Sequence, residues 1–200
     1  MAVRNHSLDR PIEEAAKADF LEYGFEKASM RRIAERAGVT HGALYTRAGS
    51  KDELFVMLVS PLLRSIEGAF TALRGEYFGN EALADPAAFL RAMEHENSLI
   101  LRLLFDDYDL SRLLLVRSHG SSLEDFFSSI VELKIKETLE FFRLRKMESP
   151  DPGVLRMLIS SEFSTFRDII EEGWSLEYAE RMMKSILKYH EAGWKALLDI

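Results

Sequence analysis

Thr40, His41, Gly42, Ala43, Tyr45, Arg47 and Lys51 lie within one short stretch and bring together the groups that hold an anion. A threonine at a helix start accepts a backbone hydrogen bond, and the other N–H groups of the first turn then point outward with partial positive charge. Gly42 and Ala43 add no bulk there, Tyr45 offers a hydroxyl one turn on, and Arg47 and Lys51 add charge. Amides, hydroxyl and cations therefore surround one place where a phosphate can dock. A glycine near the front of a helix weakens it, and a partner that approaches closely explains its presence. DNA is the partner that fits. His41 and Thr46 have the reach to meet base edges, although a neutral imidazole has a single donor and its base preference is not readable.

These residues need two short helices to position them. Ser29 caps the first, in which Met30, Ile33, Ala34 and Ala37 fall at helical spacing, and Gly38 stops it. Thr40 caps the second. Two short helices broken at Gly38-Val39 read as a helix-turn-helix, whose second helix enters the major groove. Upstream, Ile12, Ala15, Ala16, Phe20 and Phe25 mark an amphipathic helix that ends at Gly24 and braces the pair. Leu44 reads as core. Arg31 and Arg32 fit phosphate contacts and solvated charges equally well.

From Ile12 to Phe55 the chain resembles the DNA-binding head of the TetR family of bacterial transcription regulators. The resemblance rests on Ala15-Ala16, Phe20, Gly24-Phe25, Ala28-Ser29-Met30, Ile33-Ala34, Ala37-Gly38-Val39-Thr40, Gly42-Ala43-Leu44-Tyr45 and Ser50-Lys51-Asp52-Glu53-Leu54, in family order without a gap. It covers about a quarter of the chain. What it implies is that Ser29, Thr40, Gly42, Tyr45, Thr46, Arg47 and Lys51 belong to the DNA-binding set with His41 and Ala43, the last two facing base edges. One departure stands out: the family usually has a histidine, one residue and then an aromatic after the tyrosine pair, where this chain has Arg47 and then Ala48, which loosens the expected packing of the reading helix.

Composition confines the basic surface. The 200 residues carry a net charge of −7, 47% are apolar and none is cysteine. An acidic chain does not coat nucleic acid, yet Lys27 to Lys51 contains six basic residues against Glu35 alone, a local charge of +5. Without cysteine there are no disulfides and no thiol redox sensing. By this reading no apolar run approaches the eighteen or so residues of a membrane span and no signal-peptide core precedes Arg10, so the expected compartment is the cytoplasm, with no membrane partner.

After the head the periodicity is helical throughout, and the expected class is all-α: residues 1–55 as a DNA-binding domain, residues 56–200 as a ligand-binding and dimerisation domain. Breaks are expected at Gly79-Asn80, Asp85-Pro86, Tyr108-Asp109, His119-Gly120-Ser121, Ser149 to Gly153 and Gly173 to Ser175. One helix should run from about Lys51 to Phe78, kinked at Pro61, where a hinge and a purely structural kink are both open. The last two helices carry an apolar stripe, Leu155 to Ile170 and Leu176 to Leu198, wider than one core face needs. The resemblance implies that they pair with their copies as a homodimer reading a palindromic operator. Met93, Phe105, Tyr108, Phe126, Phe127, Phe163 and Phe166 are the aromatic-rich set for a cavity that holds a small-molecule effector, or else they fill a core. Glu94, His95, Glu162 and Asp168 are polar groups that could face a ligand or solvent.

Catalytic chemistry finds no foothold. His95-Glu96 is followed by Leu99 where a two-histidine zinc helix needs a second histidine. Asp106, Asp107 and Asp109 read as caps more simply than as a cation site. No phosphate-binding glycine loop or nucleophile elbow is present. The expectation is no enzyme, no cofactor and no metal, but a repressor released by a small molecule. An activator, or a ligand-binding or scaffold protein with a degenerate head, is the alternative.

Overall fold

The computed structural model describes residues 9–79 and 85–198, and among these it is all helical. Nine helices occur among the described residues: α1 (Arg10–Lys27), α2 (Met30–Ala37), α3 (His41–Arg47), α4 (Lys51–Phe78), α5 (Pro86–Asp106), α6 (Tyr108–Val116), α7 (Phe126–Leu144), α8 (Pro152–Glu171) and α9 (Leu176–Leu198). The expected breaks fall between or at the starts of these helices, except that the one expected at Tyr108-Asp109 lies at Asp107, with Tyr108 and Asp109 opening α6; Asn80 lies outside the described residues. Asp107 caps α6 by accepting from the Leu110 N–H, and Asp151 caps α8 from Gly153, so two of the acidic breaks are helix starts.

The chain divides into two compact units. The first is the described part of Met1–Arg64 together with Asp107–Phe126; the second is the described part of Ser65–Asp106 and Phe127–Ile200. The first unit thus takes in α6 and the loop after it, a segment the sequence reading did not connect with the head. Two glycines shape this unit. Gly24 interrupts α1 at φ +73°, and Gly38 closes α2 at φ +67°, in the region that side chains with a Cβ avoid. The interruption at Gly24 frees the Phe25 N–H, which donates to the Arg117 carbonyl at 2.9 Å. Asp52 at the start of α4 accepts from the Ser122 N–H at 2.8 Å. Those two bonds stitch the later segment onto the head. Phe20, Phe25 and Phe55 form the aromatic centre of the unit, with ring centroids 5.1 to 6.0 Å apart, and Ile33, Leu44 and Ala48 are fully buried around it.

Helix α4 has the expected bounds and runs through Pro61 as one helix. Among the described helices it alone is long and apolar enough to cross a membrane by length and composition, with a mean hydropathy of 1.4 over its best window, about a third of it buried. Sequence reading had found no such run. Leu54, Phe55, Leu58, Val59 and Leu62 of that helix are all buried, so part of its apolar content fills core positions.

In the second unit the buried stripes follow the helical repeat: Met93, Glu96, Asn97 and Ile100 on α5; Val131, Lys134, Ile135 and Thr138 on α7; Ile159, Glu162, Phe163 and Phe166 on α8. Each stripe places one charged residue where an apolar one is expected.

Candidate nucleic-acid interface and ligand cavity

Residue types at the helix junctions decide the geometry of the head. The Ser29 hydroxyl accepts from the Arg32 N–H at the start of α2, and Thr40 Oγ1 accepts from the Ala43 N–H at 3.1 Å at the start of α3. Ser50 accepts from the Glu53 N–H at 3.0 Å while Glu53 reaches back to the Gly49 N–H at 2.9 Å, a reciprocal cap on α4. Short helices have little stability of their own, and these caps together with buried Leu44 hold α3 in place.

Helix α3 is almost all surface. His41, Gly42, Ala43, Tyr45, Thr46 and Arg47 are exposed, and Leu44 alone is buried. A Cβ added at Gly42 would meet nothing within 4 Å, so no neighbour in the protein requires a glycine there. The His41 and Tyr45 rings meet edge to face at 4.7 Å, which fixes the imidazole beside the phenol on one side of the helix. Thr46 donates to the Gly42 carbonyl at 2.9 Å, and Arg47 pairs with Asp9 at 3.0 Å across an exposed surface. Ala48 is fully buried and donates to the Leu44 carbonyl, closing the helix where the family pattern has an aromatic.

Lys51 points to the protein's own backbone. Its Nζ donates to the Glu26 carbonyl at 2.9 Å and the Ala28 carbonyl at 3.4 Å and sits 4.6 Å from the Phe25 ring centroid. It thereby satisfies carbonyls left open at the end of α1. Arg31 pairs along its own helix with Glu35. Arg32 is bound to Asp19 through both carboxylate oxygens, and its guanidinium lies 3.9 Å from the Tyr23 ring centroid. Asp19, which sequence reading missed, is completely buried and also accepts from the Ser29 N–H at 2.9 Å. One carboxylate thus ties α1 to both the cap and the first turn of α2. Its signal in the sequence is an acidic residue on the apolar stripe of α1, beside Phe20.

The second unit contains a cavity lined by Tyr77, Phe89, Met93, Glu96, Lys134, Phe141, Glu162, Phe163 and Trp194, among others. Of the aromatic-rich set expected to line it, Met93 and Phe163 do. Phe166 is buried with its ring 5.9 Å from that of Phe163, and neither it nor Phe105 or Phe127 is among the lining residues. Tyr108 and Phe126 belong to the other compact unit. The expectation had been built on aromatic types, whereas the wall is set by which residues share the buried stripes.

Charges inside this cavity are paired with each other. Tyr77 donates its hydroxyl to Glu96 Oε2 at 2.5 Å, and Lys134 Nζ donates to the same oxygen at 2.8 Å. Lys134 lies 4.4 Å from the Tyr77 ring centroid and 3.4 Å from Glu137. Burial, followed by the facing Glu96 carboxylate, pushes the Tyr77 hydroxyl well above its ordinary range, so it serves as a donor. Asn97 donates to Glu162 Oε1 at 2.9 Å, yet burial still raises the Glu162 carboxyl above its usual range. Glu96 Oε1 is buried without a hydrogen-bond partner. Of the other polar groups singled out in sequence, His95 meets Glu76 at 2.9 Å on the surface and Glu94 is exposed. Asp168 stands beside Arg167. No group of three or more histidine, cysteine or acidic residues among the described residues is arranged to hold a metal ion.

Residues 12–58 match the family described as bacterial regulatory proteins, tetR family. A transcriptional repressor of Mycobacterium tuberculosis is 39% identical over 49 residues, 24% of this chain and 26% of that protein. The repressor AcnR of Corynebacterium glutamicum is 40% identical over 47 residues, covering 24% and 25%. The similarity thus spans about a quarter of these relatives. Over nearly the whole chain the fold is that of solved regulators. FadR of Bacillus subtilis, solved with stearoyl-CoA, aligns with a TM-score of 0.61 at 19% identity over 92% of this chain and 97% of its own. NalD of Pseudomonas aeruginosa aligns with a TM-score of 0.61 at 19% identity over 89% and 93%. The head, residues 12–58, thus matches the tetR family of bacterial regulatory proteins, and over nearly its whole length the chain has the fold of the solved regulators.

Proposed function

We propose that the protein is a ligand-responsive transcriptional repressor that works in the cytoplasm, binds a palindromic DNA operator as a homodimer and releases it when a small molecule occupies the second unit. The observation that carries this reading is α3, a helix with one buried residue and a glycine that no neighbour requires. His41, Ala43 and Thr46 face base edges, while Ser29, Thr40, Gly42, Tyr45 and Arg47 serve the backbone. Lys51 acts through the head's own carbonyls, and its third proton is available to a phosphate.

The relatives named repressors support the direction of control, and the FadR complex with stearoyl-CoA supports a small-molecule effector. Val154, Met157, Leu158, Leu176, Tyr178 and Tyr189 leave apolar surface exposed on α8 and α9, which supports dimerisation through these two helices. Release is a population shift: an effector that favours a different spacing of the two heads lowers operator affinity, and a coupling of about 1 to 3 kcal/mol changes it roughly five- to 150-fold. Helix α4 supplies buried residues to the head and Tyr77 and Phe78 to the cavity wall, so one helix is shared by both events.

The test is selection of bound sequences from a random duplex pool, with titration of the winner at two salt concentrations. An enriched palindrome whose binding falls steeply with salt is the expected result. No enrichment, with the purified protein shown free of bound small molecules by mass spectrometry, overturns the reading.

A further inference from the structure

Three charged residues occupy buried-stripe positions in the second unit: Glu96 on α5, Lys134 on α7 and Glu162 on α8. Burying a charge is costly unless it is paired, so a fold that only needed a core would place apolar residues here. Glu96 is 4% exposed and Glu162 7%, and the same cavity wall includes Glu137. Three carboxylates share the wall with the ammonium of Lys134, and Arg74 at 3.6 Å gives Glu137 a second cation, so the uncompensated charge lies on Glu96 and Glu162. That ammonium is engaged by Glu96 and Glu137, which leaves Glu162 with an amide partner and Glu96 Oε1 with no partner.

The geometry points to an organic cation as the effector of this cavity: an ammonium head seated against Glu96 and Glu162, with an aromatic or aliphatic body among Phe89, Phe141, Phe163 and Trp194. This rests on the reading that the second unit holds an effector and names its chemical class. The walls already hold one cation of the protein's own by the same means, since Lys134 combines a carboxylate with the faces of Tyr77 and Phe70. A second ammonium supplies the missing counter-charge, which agrees with the Glu162 carboxyl being pushed upward by burial and by the Glu96 charge. A carboxylate ligand would face Glu96 and Glu162. The free space amounts to about two or three waters, enough for a head group, so the body must part the aromatic rings. That displacement moves residues at the end of α4.

The test is calorimetry on the purified full chain without DNA, using 2-phenylethylammonium and 3-phenylpropionate as probes of matched size and opposite charge. The ammonium is expected to bind and the carboxylate not to. Glu162→Gln and Glu96→Gln should each weaken the ammonium about tenfold or more. Glutamine keeps an acceptor for Tyr77, Lys134 or Asn97, and a thermal melt checks that each variant folds; where E96Q does not fold, E162Q decides. Preferential binding of the carboxylate would make Lys134 the receptor and overturn the assignment. Binding of neither probe, or ammonium binding unaltered in the variants, overturns it as well. Because no operator enters the measurement, an ammonium that binds to a protein lacking an operator refutes the repressor reading and leaves the cavity assignment standing.

Discussion

Gly42→Ala separates the demands of folding from those of DNA binding in a single methyl group. The added Cβ meets nothing within 4 Å, and Gly42 does not have the positive φ that marks Gly24 and Gly38. Folding should therefore gain. Alanine exceeds glycine by up to about 1 kcal/mol inside a helix, and a first-turn site earns about half of that, so the head should become about 0.5 kcal/mol more stable. Operator binding should move the other way, because the methyl occupies the space through which the sugar-phosphate wall approaches. Hydrogen bonds near 2.9 Å weaken when pushed apart by a few tenths of an ångström, and a cost of about 1 kcal/mol per head is in proportion. A dimer carries the change twice, giving about 2 kcal/mol or roughly thirtyfold weaker binding. Urea denaturation and fluorescence anisotropy with the selected duplex measure the two sides. A variant that is more stable and binds DNA as tightly as the parent refutes the close-approach argument; one that is less stable refutes the account of the open space.

Three further outcomes follow from the contacts. Tyr45→Phe should leave the melting temperature unchanged and weaken DNA binding, whereas Lys51→Ala should lower both, because the Lys51 ammonium satisfies the Glu26 and Ala28 carbonyls; unchanged melting of Lys51→Ala would show those bonds to be idle. Asp19→Asn should lower the melting temperature by several degrees, read by circular dichroism, because it removes the charge opposite Arg32 while keeping an acceptor for the Ser29 N–H; no change would contradict a structural role for the pair. Met157→Lys with Tyr189→Lys, at side chains 75% and 77% exposed, should barely alter subunit stability yet shift sedimentation toward monomer, and an unaltered profile would move the dimer surface elsewhere.

What was legible in the sequence follows the range over which each residue acts. Ser29, Gly38 and Thr40 act on the backbone within a few positions, so their types alone announced helix ends that the structure contains, whereas Gly24, read as an end, interrupts α1, which runs on to Lys27. Asp19 acts ten and thirteen residues away, on Ser29 and Arg32, and no local pattern reports that. Lys51 reads as a free charge heading a helix until the open carbonyls at the end of α1 are brought to it from 23 and 25 residues upstream. Residues 107–126 joined the head for the same reason, through the carbonyl of Arg117 and the N–H of Ser122. The cavity was misjudged in a different way. Counting aromatics selects by type, but a wall is chosen by helical phase, and Glu96, Lys134 and Glu162 each stand three positions after a buried apolar residue and four before another buried residue. Charge in the phase of a core stripe was the available signal.

That signal and the surface of α3 are two forms of one inconsistency between a residue and its surroundings. A sequence under pressure only to fold would fill the stripes of α5, α7 and α8 with apolar side chains and would place a better helix former than glycine at position 42. The fold tolerates both departures because it offsets them locally: Thr40 caps the weakened helix, and Tyr77, Asn97 and Glu137 share the buried charges. At α3 the cap holds the helix and only an outward face is left open. The offset is incomplete in the cavity, where Glu96 Oε1 has no partner and Glu162 has an amide partner and, among the described residues, no cation. On the readings proposed above, the two sites take ligands of opposite sign, an anionic backbone at the exposed face of α3 and a cation in the acidic wall. Ligands so opposed in charge would each keep to one unit, the condition under which one can control the affinity of the other without competing for it.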